Sequence, residues 1–346
     1  MLKNLQSKLG VGDRQAPALV LAVLLLLGLG GLAWRTWLGA PPSQPVGLVM
    51  AVNTGYVASC PILAAQRYGY FLAQGVQISI QSHTSGKSAM EAVLTGAADL
   101  GTVADIPIVF AALEHAPISV VATFFQAETD HGIVARRDHG IQRPQDLKGK
   151  RIGATQGTSG HFILDAFLNK QRLRPSEVSM RNFKPEDLTA ALQRGEVDAI
   201  ASWEPYLEQT MRLLKENGIA FYGQNIYEIT YNMAGRTDYI KAHPERIVKV
   251  LRALEQGEQF CRLQTDRAQA MMAQETQTEL GTMKKFWSSY RFDMRLDQGL
   301  ILALEDETRW VIKNRLSSTT VMPNFLDSLY LDGLDSVSPE AVSVIH

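Results

Sequence analysis

Short apolar runs of strand length alternate with stretches of helical spacing over two successive parts of this chain, and the alternation predicts two α/β lobes. From residue 46 the pattern gives strands at 46–52 and 76–80, helices at 61–72 and 88–94, and strands at 98–103 and 118–123 around a helix at 106–113. Strands separated by helical stretches of ~10–15 residues mark βαβ units and a parallel sheet. The pattern then restarts, with strands at 133–135, 150–154, 178–183, 197–202 and 219–222 and helices at 160–170, 185–194 and 204–216. No Gly/Ser linker lies near 134–137, so an extended strand is expected to cross between the lobes there. After Tyr231 no strand is expected. Amphipathic helices at 244–260, 267–274 and 296–314 follow, with Leu300, Ile301, Leu304, Thr308 and Val311 near i, i+4, i+8 spacing. They read as a tail that returns to cover the first lobe. The expected division is 47–134 with 235–346 in lobe I, and 135–234 in lobe II.

Ahead of this pattern, residues 16–34 are 19 uncharged and mostly apolar positions with Leu24 to Leu27 at their centre. That matches the ~20 residues needed to span a bilayer and exceeds the ~7–15 of a signal-peptide core. An uncleaved membrane anchor is therefore expected, with a removed signal peptide cut after Ala33 as the alternative; Trp34 and Arg35 make a poor mature start. Lys3, Lys8 and Arg14 precede the segment, which places residues 1–15 in the cytoplasm and the rest outside. Pro41, Pro42 and Pro45 stiffen a spacer at 35–46.

Charge and cysteine content narrow the function classes. The 346 residues carry a net charge of −1, and the first 35 hold four basic residues against Asp13, so the remainder is acidic by about 4. That balance excludes nucleic acid as a partner. The two cysteines, Cys60 and Cys261, lie 201 positions apart and form no metal framework. Two buried free thiols are expected, although an exported chain could pair them. The histidines show no metal-ligand spacing, and Asp130-His131-Gly132 and Asp138-His139-Gly140 read as turns. Neither metal nor cofactor is expected.

Three places end a strand and open a helix with small polar residues: Thr54 to Ser59, His83 to Ser88, and Gln156 to His161. In open parallel sheets ligands bind beyond the carboxyl ends of strands, where such loops converge. One such loop is ordinarily a helix cap; three in two lobes point to a cleft. Thr158, Ser159, Gly160 and His161 form an anion seat of backbone N–H groups, hydroxyl and imidazole at a helix N-terminus. Ser85 and Gly86 face them from the first lobe, and Tyr56, Ser59 and the adjoining Cys60 complete that side. Asp105, in Asp105-Ile106-Pro107, reads as a helix cap or a cleft carboxylate. Trp203-Glu204-Pro205 offers an apolar wall and a second carboxylate. No nucleophile with a paired base stands beside the seat, so the chain reads as a binding protein rather than an enzyme.

Taken in order, these motifs resemble the periplasmic substrate-binding proteins of ABC importers for nitrate, sulfonates and taurine, a group with NMT1/THI5-like domains. The resemblance covers roughly residues 47–265. It rests on Gly55-Tyr56, on Leu72 to Gly75, on Glu91 to Gly101, on Asp105-Ile106-Pro107 and on Asp146-Leu147-Lys148-Gly149-Lys150. Gly157-Thr158-Ser159-Gly160-His161, Ala190 to Ala199 and Trp203-Glu204-Pro205 complete it, and Val93 is an insertion relative to the family's pattern. The resemblance implies a two-lobed, type II periplasmic-binding-protein-like α/β clamp with a helical C-terminal tail, here preceded by one transmembrane helix. It also implies capture of a small anionic or zwitterionic solute and docking on an inner-membrane ABC permease. Two other functions stay open: a membrane-anchored sensory receptor using the same clamp, and an enzyme like the thiamine-pyrimidine synthases, whose cysteine cluster two distant cysteines cannot supply. With Asp105 and Glu204 beside the anion seat, the expected ligand has an acidic end and an N–H-bearing or cationic end, as taurine has.

Overall fold

The computed structural model describes residues 46–223 and 225–345. The expected span at 16–34, the cytoplasmic segment 1–15 and most of the spacer lie outside these residues. Among the described residues no helix is long and apolar enough to cross a membrane.

Two sheets organise the chain. The strands of these two sheets are β1 (Val46–Asn53), β2 (Val76–His83), β3 (Leu100–Ala104), β4 (Ile118–Ala127), β5 (His131–Arg136), β6 (Arg151–Ala154), β7 (Ser179–Asn182), β8 (Ala199–Trp203), β9 (Gly218–Tyr222), β10 (Ile229–Arg236) and β11 (Tyr290–Arg291). The first sheet runs β11-β4-β10-β3-β1-β2 and the second β7-β6-β8-β5-β9. β1, β2 and β3 are parallel, as the βαβ pattern requires, and β6 is parallel to β7 and β8.

The sheets are nevertheless mixed. β10 lies between β3 and β4 and is antiparallel to both; β5 is antiparallel to β8 and β9. β10 overturns the expectation that strands end at Tyr231. Its sequence, Ile229-Thr230-Tyr231-Asn232-Met233-Ala234-Gly235-Arg236, mixes polar and apolar residues because Thr230 and Asn232 bury their side chains in hydrogen bonds. Both crossings between sheets precede the expected boundaries. The chain leaves the first sheet after Ala127 and enters the second at His131, and it returns between Tyr222 and Ile229.

The helix Asp105–Leu113, buried along nearly its whole length, packs under the first sheet in the largest apolar cluster. The C-terminal helices return onto this lobe. Helix Pro244–Leu263 lies against helix Cys60–Arg67, and the two are joined by a Cys60–Cys261 disulfide. The expectation of free thiols is therefore corrected: sequence distance hid that the returning helix places Cys261 6.2 Å from Cys60 between Cα atoms. Helix Gln298–Lys313 packs on helix Asp105–Leu113 and also reaches the second lobe, where Trp310 Nε1 donates to Asp165 at 3.0 Å.

Candidate functional site: the interlobe cleft

The loops after β1, β2 and β3 meet the N-terminal turn of helix Ser159–Lys170 and the end of β8 across the gap between the sheets. They enclose a cavity of about 20 Å³ whose lining includes Tyr56, Ser85, Gly86, Thr158, Ser159 and Trp203. Six expected residues thus converge. Gly157, at φ +73°, makes the left-handed turn that ends the strand-to-helix loop, a conformation glycine adopts without steric cost. The N–H groups of Ser159 and Gly160, in the first turn of the helix, have no intrahelical acceptor by helix geometry and carry the positive end of its dipole. Thr158 Oγ1 donates back to Thr155 O at 2.7 Å. On the opposite side Ser85 caps helix Gly86–Leu94 by accepting from Ser88 N at 3.2 Å. A Cβ on Gly86 would come within 3.0 Å of Ala104 N, so that helix meets β3 only through a bare backbone.

Six expected residues do not line this cavity. Ser59 is fully buried and donates to Asn53 O at 2.7 Å. Cys60 is occupied by its disulfide. Gly160 is buried beside the wall: a Cβ there would lie 3.3 Å from Trp203. His161 turns away and packs edge-on against Trp310, 5.1 Å between ring centres; burial pushes it down to about 4, which leaves it neutral. Asp105 is fully buried, accepting from Tyr227 Oη, from Ile106 N at 2.8 Å and from Thr230 N at 2.9 Å. Burial raises its pKa, against the pull of those donors. Glu204 lines a separate cavity with Val57, Thr276, Thr282, Phe286 and Tyr290. It accepts from Tyr222 Oη at 2.8 Å and Glu208 N at 3.0 Å, and burial raises it to about 7. The two carboxylates expected in the cleft are therefore absent from the cavity lining among the described residues.

Several residues that sequence reasoning passed over line the cavity: Asn53, Lys87, Pro107, His131, Ile229 and Tyr231. His131, read as part of a turn, begins β5. Its Nδ1 lies 2.7 Å from Asp130 Oδ1 and its Nε2 2.8 Å from Ser159 Oγ, while Tyr56 Oη donates to Asp130 Oδ2 at 2.5 Å. Only the antiparallel pairing of β5 with β8 brings His131 opposite Trp203. Lys87 sat in the quoted His83 to Ser88 motif, and its charge beside an anion seat was the available signal. It reaches across the gap to donate to Gln156 O at 3.2 Å. Outside it, a groove of about 380 Å³ lined by Lys87, Glu91, Pro107, Phe110, Glu114 and Gln156 adjoins the cavity.

The NMT1/THI5-like family profile matches residues 57–268. Among relatives, the taurine-binding periplasmic protein of Escherichia coli is 26% identical over 208 residues, covering 59% of this chain and 62% of its own length. The chain thus aligns with less than two thirds of that relative. The 4-amino-5-hydroxymethyl-2-methylpyrimidine phosphate synthase of Schizosaccharomyces pombe is 24% identical over 208 residues, covering 56% of this chain and 59% of its own. Among solved structures, the alkanesulfonate-binding protein SsuA of Xanthomonas axonopodis pv. citri, bound to MOPS, superposes with a TM-score of 0.72 at 20% identity, covering 84% of this chain and 99% of that one. With the family matched over more than half its length and the two-lobed architecture shared, this chain belongs to the NMT1/THI5-like family and has the periplasmic-binding-protein fold.

Proposed function

We propose that this protein is the solute-binding component of an ABC importer, held outside the inner membrane by residues 16–34, and that its solute is a sulfonate with a short apolar tail. The observation that carries the reading is the cavity lining, which combines the first-turn N–H and hydroxyl of Ser159 and the Lys87 ammonium with the apolar surfaces of Trp203, Pro107 and Ile229. Donors and positive charge receive the oxyanion, and the apolar wall covers the tail. No carboxylate lines the cavity among the described residues, so no acidic side chain there pairs with an ammonium group. The taurine-binding relative supports the ligand class. The enzyme reading loses its thiols, because both cysteines are consumed in one disulfide and neither lines the cavity.

A cavity of about 20 Å³ holds little more than one water. The lobes must part to admit a sulfonate, which is clamp behaviour. Calorimetric titration with ethanesulfonate, taurine and nitrate tests the reading. Ethanesulfonate is expected to bind at least as tightly as taurine and more tightly than nitrate. Nitrate binding best, or taurine binding far better than ethanesulfonate, would refute the proposed ligand. Intact-mass measurement tests the anchor: a mature chain beginning near Trp34 would remove it.

A further inference from the structure

We propose that the oxyanion is bound together with a proton, which is taken up by His131, and that His131 thereby sets the polarity of the Ser159 hydroxyl in the cleft. This inference rests on the sulfonate reading above. The geometry starts at Asp130, which is fully buried and accepts at both oxygens: from Tyr56 Oη at 2.5 Å and from His131 Nδ1 at 2.7 Å. With Asp130 as a carboxylate, Nδ1 carries a hydrogen in either protonation state of the ring. The remaining nitrogen, Nε2, faces Ser159 Oγ at 2.8 Å.

Ser159 has one hydroxyl hydrogen. When His131 is neutral, Nε2 is an acceptor and takes that hydrogen, so Ser159 presents only lone pairs to the cavity. That polarity repels an oxyanion. When His131 is an imidazolium, Nε2–H donates to Oγ and the hydroxyl hydrogen turns free to point at the ligand. The anion thus favours the protonated ring twice, by its charge and by the hydrogen bond it gains.

The groups around His131 allow this. Asp130 lies on its own chain segment, and Asp105 and Glu204, from the loops after β3 and β8, add acidic groups nearby; Tyr227 and Trp203 pack against the ring, and Tyr56 against Asp130. The cation on the same cavity is Lys87, which opposes a second positive charge when the cleft is empty and leaves room for one when an anion enters. Histidine is the side chain suited to such a change near neutral pH. By linkage, affinity is fully present while the free protein holds the ring protonated. It falls by up to tenfold per pH unit once the free ring is neutral.

The probe is ethanesulfonate, which stays ionised throughout. Titration calorimetry of the full-length protein at pH 8 in buffers of different ionisation enthalpy is expected to show uptake approaching one proton per ligand, with Kd rising between pH 5.5 and 8.5. His131→Gln is expected to bind with a Kd that is flat across that range and with no proton uptake. As a readout that needs no variant, the ¹⁵N resonance of His131 Nε2 should move to its protonated position on addition of ethanesulfonate. A pH-independent Kd without proton exchange in the wild type overturns the inference and leaves the sulfonate reading standing. So does a His131→Gln variant that retains the wild-type slope. Absence of ethanesulfonate binding at every pH overturns both.

Discussion

Glu204→Gln isolates the cost of keeping one carboxyl buried. Glu204 is 5% exposed, and burial raises it to about 7 from an ordinary 4.5. The folded protein therefore holds a proton at Glu204 between those values that the unfolded chain releases. Stability contributed by this group is greatest below pH 4.5, declines as pH rises, and levels off above about 7. A shift of that size corresponds to a penalty of about 3 kcal/mol at pH 8. Glutamine has nearly the same shape and remains neutral. Its amide oxygen can accept from Glu208 N and its amide N–H can donate to Tyr222 Oη, which replaces the two hydrogen bonds seen at 3.0 and 2.8 Å. Urea unfolding of wild type and variant at pH 4.5 and pH 8 measures the difference. The variant is expected to be within about 0.5 kcal/mol of wild type at pH 4.5 and more stable by about 2–3 kcal/mol at pH 8, after allowing for relaxation around the ionised group. A stability difference that does not change with pH would refute the reasoning. Because Glu204 lines a separate cavity, the same variant should not change the ratio of taurine to ethanesulfonate affinity.

Two further outcomes follow from the packing of the returning helices. A Cβ at Gly257 would fall 2.0 Å from Pro61 O, a backbone atom that cannot swing aside, so Gly257→Ala should separate helices Cys60–Arg67 and Pro244–Leu263 and cost about 1–3 kcal/mol or more in denaturant unfolding; a loss below about 0.5 kcal/mol would show that the helices are not in this contact. Reduction of Cys60–Cys261, which closes a span of 201 residues, should lower stability by about 2–5 kcal/mol with the fold retained in circular dichroism, and an unchanged unfolding midpoint under reductant would argue against the bond.

Local pattern alone determined much of this protein. The βαβ alternation located nine of the strands within a few residues, and the loop Gly157 to His161 announced a helix N-terminus that in the structure lines the cleft. These features are carried by neighbours in sequence: a run of β-branched residues, a glycine at positive φ, a hydroxyl at the start of a helix. What sequence left undecided depended on partners far along the chain. β10 reads as polar because its buried Thr230 and Asn232 find their hydrogen bonds on residues of β3, β4 and the Asp105 turn. Cys60 reads as a free thiol until helix Pro244–Leu263 returns to it. Asp105 and Glu204 look like cleft carboxylates because a strand end says where a residue sits but not which way its side chain turns, and burial with Tyr227 and Tyr222 turned both inward. His131 was legible only as a turn residue; its pairing with Asp130 and Ser159 exists because antiparallel pairing sets β5 beside β8 and the neighbouring helix. Sequence fixes what each residue can offer, whereas burial and cross-strand register decide which offers are taken up, since a buried polar group must find its partner wherever the fold has placed one.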